Sequence, residues 1–102
     1  MIRLQRCHEC AHAQYPPREI CSACLSDRLA SDEAAALPAR VLACTVLHHS
    51  NEPRFRPRLP IVLGLVRFEA GPVALCFLAG SASPGQVVQV REGEDGLLTA
   101  GP

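Results

Sequence analysis

Six cysteines dominate the chemistry open to this chain of 102 residues. Four of them form two Cys-x-x-Cys pairs, Cys7-His8-Glu9-Cys10 and Cys21-Ser22-Ala23-Cys24, separated by ten residues. A tight turn carrying one such pair aims two thiolates at one point, and two turns close a tetrahedron around Zn²⁺. Iron is chemically possible with the same ligands. Two disulfides would need an oxidising compartment, and Met1–Arg6 lacks the apolar core of an export signal. A dithiol redox centre wants one pair at a helix start beside a strand, not two pairs in an apolar-poor stretch. The spacing therefore predicts a metal site at Cys7, Cys10, Cys21 and Cys24. Four thiolates leave no position open to water or substrate, so the metal is expected to be structural zinc. Such a site contributes on the order of 10 kcal/mol, enough to hold a segment with few large apolar side chains. His8 and His12 lie near enough to substitute, but the four cysteines complete the set.

The other candidates are weaker. Cys44 and Cys76 sit in apolar, strand-like runs, where an unpaired cysteine is expected to fill core space. Cys44 and His48 would share a strand face but stand about 13 Å apart, too far for a nucleophile–base pair. Acidic residues cluster in turns, at Asp32-Glu33 and at Glu92, Glu94 and Asp95. No triad, no carboxylate pair in apolar surroundings and no glycine-rich phosphate loop appears, so catalytic residues are expected to be absent. Pro53-Arg54-Phe55-Arg56-Pro57-Arg58 stands apart. Its prolines predict an extended loop without internal structure, with Arg54, Arg56 and Arg58 on one side, suited to a phosphate or a carboxylate.

Residues 1–28 are rich in Cys, His, Pro and Arg, and are expected to form a metal ribbon. Residues 29–40 read as a connector with little regular structure, since Pro38 cuts short the helix start at Ser31-Asp32-Glu33. Residues 41–102 change character to short β-type runs, predicting strands at Val41–His49, Pro60–Glu69, Val73–Ala79, Gln86–Arg91 and Leu97–Thr99. Ala70-Gly71-Pro72, Ser83-Pro84-Gly85 and the acidic segment Glu92–Gly96 supply the turns. Gly64, inside the second run, suggests a bend or bulge. Val41–His49 is largely apolar on both sides, which suits a strand wrapped into a small barrel. The expected fold is mainly β: a zinc ribbon followed by a small antiparallel barrel.

Composition narrows the function classes. The ten basic residues are all arginines and are matched by ten acids, five of each within residues 1–40 and five of each within 41–102. The absence of lysine excludes Schiff-base chemistry and a phosphate-loop lysine. Zero net charge and four aromatics, Tyr15, Phe55, Phe68 and Phe77, argue against a nucleic-acid-binding module, which stacks bases in a basic groove. No apolar run approaches the ~20 residues of a membrane span, and a cytoplasmic location is expected.

The two Cys-x-x-Cys pairs about ten residues apart, with Tyr15-Pro16-Pro17-Arg18 between them, resemble a known family. It is the acyl-CoA-associated OB-fold family with an N-terminal rubredoxin-like zinc ribbon, domain of unknown function thirty-five. Thr45-Val46 matches its first barrel strand, Ile61–Gly71 its apolar strand running into an acid-and-glycine turn, and Gly85-Gln86-Val87-Val88 its Val-rich strand. Members usually carry Gly after each Cys pair, where this chain has Ala11 and Leu25, and a Gly-x-Gly entering the barrel, where it has Pro38 and Arg40. Helices often precede the ribbon in members, and six residues precede Cys7 here. The resemblance implies a non-catalytic accessory subunit in a hetero-oligomer, with a thiolase-like or ketoacyl-synthase-like enzyme as partner, or alternatively a hot-dog-fold enoyl-CoA hydratase. It also implies a subunit that bridges others and shapes the coenzyme A site, with the catalytic residues on the partner. Arg54, Arg56 and Arg58 are then expected to meet CoA phosphates or an acidic patch of the partner. Competing readings are a nucleic-acid module and an iron electron carrier.

Overall fold

The computed structural model describes residues 1–79, 82–94 and 96–101. Eight strands make up two sheets: β1 (Ile2–Cys7), β2 (Ala13–Gln14) and β3 (Leu29–Ala34) in one, and β4 (Leu37–Leu47), β5 (Ile61–Phe68), β6 (Val73–Leu78), β7 (Val87–Glu92) and β8 (Leu98–Gly101) in the other. The first sheet has the order β2-β1-β3, and the second closes on itself as β4-β5-β6-β8-β7. Pairing is antiparallel throughout except between β6 and β8, which run parallel where the barrel closes. This is the OB arrangement expected from the sequence.

Strict alternation builds the barrel. Gly64, Val66 and Phe68 of β5, Ala74, Cys76 and Leu78 of β6, Val88 and Val90 of β7, and Leu98 and Ala100 of β8 all face inward. Small residues among large ones let the narrow interior close. Cys76 is a core residue, and burial pushes its thiol up to about 11, which makes it unreactive. The turns follow their glycines: the Gly71 N–H donates to Phe68 O at 2.9 Å with φ +115°, a conformation glycine adopts without strain. Of the acidic turn, the Gly96 N–H donates to Gly93 O, while Asp95 lies outside the described residues.

Four expectations need correction. The segment 29–40 is not irregular: β3 pairs with β1 along six positions, from Ile2↔Ala34 to Cys7↔Leu29, and β4 begins at Leu37. β3 is polar and half-exposed, so its order comes from the ladder and the Arg3–Glu33 ion pair, which no hydrophobic pattern reveals. Gly64 marks no bulge. The register shift lies opposite, between Val41 and Ala43, and a Cβ on Gly64 would stand 2.7 Å from Leu78 Cδ1, so glycine is there for close packing. Cys44 is exposed, because the bulge and the extension of β4 beyond the closed barrel leave residues 42–46 accessible on both faces. Its Sγ meets Ala82 O at 3.8 Å. The arginine loop, finally, is not extended: Arg56–Arg58 form a 3-10 turn, since Pro57 fixes φ at a value helical turns share.

The two sheets meet through Ile2, Leu4 and Tyr15. Ile2 is fully buried in the barrel's own core cluster, with Leu4 and Tyr15 packed against it. The Tyr15 ring meets Phe68 edge-on at 6.0 Å, and its hydroxyl donates to Glu92 Oε2 at 3.3 Å. Burial and the Glu92 carboxylate together raise the Tyr15 pKa.

Candidate metal centre

Each Cys-x-x-Cys pair folds into a knuckle, and the two knuckles follow one plan. In the first, the Ala11 N–H donates to Cys7 O at 3.0 Å and the Glu9 N–H points at Cys7 Sγ at 3.4 Å. In the second, the Leu25 N–H donates to Cys21 O at 2.9 Å and the Ala23 N–H points at Cys21 Sγ at 3.4 Å. Both knuckles close on a left-handed residue, Ala11 at φ +64° and Leu25 at φ +66°. The turn that glycine would make is therefore kept with side chains, at about 1 kcal/mol of strain each.

The turns bring the four sulfurs together. Cys7 and Cys24 are 3.5 Å apart, Cys10 and Cys21 are 3.6 Å apart, and all four lie within 4.8 Å of one another. Zinc–sulfur bonds of ~2.3 Å imply tetrahedron edges of about 3.8 Å, so the cage has the size zinc requires. The Cys10 amide lowers the Cys7 thiol to about 7, and the Cys24 amide likewise lowers Cys21. The second cysteine of each knuckle goes the other way. The Ser26 amide favours a Cys24 thiolate, but the Cys10 and Cys7 sulfurs and burial push it up to about 12. Thiolates this close repel unless a cation balances them, and the donor set suits a thiophilic one.

Two buried glutamines position the second knuckle, and sequence reasoning missed them. Gln14 Nε2 donates to Gln5 Oε1 at 2.8 Å and to Ile20 O at 3.2 Å, while its Oε1 accepts the Ser22 N–H at 2.9 Å. Gln5 Oε1 accepts the Arg18 N–H at 2.7 Å, and its Nε2 donates to Arg18 O at 2.9 Å. The pair thus ties β1 and β2 to the loop that carries Cys21. Two glutamines in a polar segment announce nothing in sequence. His12 Nε2 and Ser22 Oγ, 3.2 Å apart, link the knuckles on their exposed side. No carboxylate orients His12 among the described residues, so this pair lacks the third member of a hydrolytic triad.

The arginines of the 54–58 loop do not line up. Arg54 lies over the Phe55 ring with Glu52 at 3.9 Å, Arg56 Nε donates to Ser50 O, and Arg58 lies over Phe77. Each is directed by a different local partner, so the one-sided row expected from extended backbone is not formed. Among the described residues, no helix is long and apolar enough to cross a membrane.

Comparison with known proteins agrees with this architecture. Residues 2–30 match the family described as "ChsH2, rubredoxin-like zinc ribbon domain", and residues 32–92 match "ChsH2, C-terminal OB-fold domain". A solved structure described as "Ltp2-ChsH2(DUF35) aldolase" superposes with a TM-score of 0.75 at 29% identity, covering 98% of this chain and 83% of that one. No curated protein matches the chain in sequence. The chain is a member of the ChsH2 (domain of unknown function thirty-five) family, a rubredoxin-like zinc ribbon joined to a C-terminal OB-fold domain.

Proposed function

We propose that Cys7, Cys10, Cys21 and Cys24 hold one structural zinc, and that the chain is a non-catalytic accessory subunit of a thiolase-like acyl-CoA enzyme. In this reading it bridges subunits and shapes the CoA-binding region, while the partner carries the catalytic residues. The observation that carries the reading is the structural neighbour, a ChsH2(DUF35) chain named together with Ltp2 as an aldolase and matched along nearly this whole chain. The chemistry supports it. Zinc, when bound, supplies a charge-balancing cross-link, and four thiolates leave it no site for substrate. The Glu9 and Ala23 amides orient the thiolates, and the glutamine pair keeps the second knuckle in place. Cys76 is sealed in the core and Cys44 Sγ meets a carbonyl, and among the described residues neither is hydrogen-bonded to a histidine or carboxylate. Arg54, Arg56 and Arg58 offer guanidinium contacts to CoA phosphates or to the partner.

The test is to isolate the enzyme that co-purifies with the chain from its native host and assay it with and without the chain. A thiolase-fold enzyme that loses most of its acyl-CoA turnover alone is the expected result. A hot-dog-fold hydratase would replace the partner assigned here. Turnover of an acyl-CoA by the pure isolated chain would contradict the non-catalytic role. Elemental analysis should find one zinc per chain, in colourless protein.

A further inference from the structure

The outward face of β4, β5 and β6 is apolar at its centre, and only its Phe77 end is covered, by Phe55 at 5.6 Å between ring centroids and by Arg58. Cross-strand register places Ala43, Leu65 and Leu75 in one row, with Thr45, Leu63 and Phe77 on one side and Arg40, Arg67 and Val73 on the other. Leu75 is 62% exposed, and Leu65 and Val73 are 39% exposed. These side chains point away from the core that Val66, Ala74 and Cys76 fill. Adjacent apolar side chains on three neighbouring strands mark a surface that another molecule covers.

Arginines stand at both ends of this face. Arg40 and Arg67 are direct cross-strand partners, a like-charge pairing that destabilises a sheet. The ion pairs among the described residues are Arg3–Glu33, Arg28–Glu9 and Arg54–Glu52, so no carboxylate pairs with Arg40 or Arg67. At the opposite end, Arg58 lies over Phe77, and Arg91 stands opposite Thr99, the neighbour of Phe77. Among the described residues, the cleft at the first end holds Arg40 and Arg67 against Glu69, and the cleft at the opposite end holds Arg58 and Glu94.

We propose that this face is the docking surface for the partner enzyme, which covers Leu65, Val73 and Leu75 with apolar side chains and seats a carboxylate between Arg40 and Arg67. The proposal rests on the accessory-subunit reading above. An apolar centre inside a charged rim is the anatomy of a specific interface. Arg40 Nη1 already donates to Gly85 O at 2.7 Å, and the inserted carboxylate would supply the anion that neither guanidinium has among the described residues. A second copy of this chain fits less well, because its own Arg40–Arg67 pair would bring two further guanidiniums to the rim where the first copy has two against one carboxylate.

The test uses the co-purifying enzyme, identified and then produced separately, with its affinity for the full zinc-loaded chain measured by calorimetry. Leu75→Glu should weaken binding roughly 30-fold or more, as loss of a central apolar anchor does. Arg67→Gln should weaken it about 10-fold at low salt and less at high salt. Circular dichroism and zinc content should stay unchanged in both. Isolated Arg67→Gln should melt no lower than the native chain, which separates lost binding from lost fold. Unchanged affinity in both variants overturns this face and leaves the accessory-subunit reading standing. Failure to recover any enzyme overturns both. Enzyme affinity unaffected by Leu75→Glu, alongside a dimer or a phosphatidylserine-vesicle complex that this variant abolishes, assigns the face to a second copy or a membrane and overturns the proposal.

Discussion

In the barrel, Val41, Val66, Phe68, Val88 and Val90 exclude water by packing on one another, and Ile2 of the ribbon joins them. Apart from Leu4 and Tyr15, which pack against that same core, the rest of the ribbon has nothing comparable. Its buried side chains are Cys7 and Cys21 at the sulfur cage and the hydrogen-bonded pair Gln5 and Gln14. A segment of about thirty residues cannot bury enough apolar surface to offset its ordering entropy, and the zinc cross-link proposed above would take the place of a core. The two halves are therefore expected to fail differently: the barrel when packing is cut, the ribbon when sulfur or a polar bond is lost.

The largest effect expected is on the ribbon. Cys21→Ser should abolish zinc binding and remove a contribution on the order of 10 kcal/mol from that half alone. Elemental analysis and the loss of amide dispersion confined to the ribbon would show it, while a variant that keeps its zinc would break the comparison. In the barrel, Phe68→Ala should cost about 3–5 kcal/mol in denaturant unfolding, because the cavity lies at the centre of the core and under Tyr15. Metal affinity should change much less.

Gln14→Ala sharpens the contrast further. It removes one of the three hydrogen bonds on the Gln5 side chain and releases the Ser22 amide, a loss of about 1–3 kcal/mol. That loss should appear as weaker zinc retention in a chelator competition. The smallest effect has the opposite sign. Leu25→Gly should stabilise the zinc-loaded chain by roughly 0.5–1 kcal/mol, since it relieves a left-handed φ at an exposed side chain. A higher melting temperature is the expected readout.

What the residues revealed in advance follows the same division. The cysteine quartet is legible because ligand spacing is local, and the barrel strands because short apolar runs cut by Pro and Gly turns are local too. Val73–Ala79 and Gln86–Arg91 were placed within a residue or so of β6 and β7. β3 was not legible, because its polar residues are ordered by β1 and carry no pattern of their own. Cys44 is expected inside because an unpaired cysteine in an apolar run usually fills core space, and the irregularity between Val41 and Ala43 carries no mark in sequence. Pro57 was read as extended although its φ serves a 3-10 turn equally well. Gln5 and Gln14 gain meaning through their partners in space. Ala11 and Leu25 kept the glycine-type turns because the cage outweighs about 1 kcal/mol of strain at each.

The central claim is that zinc holds the ribbon while packing holds the barrel. Amide hydrogen exchange on the full chain, before and after zinc is stripped by a chelator under reducing conditions, tests it most directly. On zinc removal β1, β2 and the two knuckles should lose protection while β5, β6 and β7 keep theirs, with recovery on adding zinc back. Protection lost equally in both halves, or retained in both without metal, would contradict it.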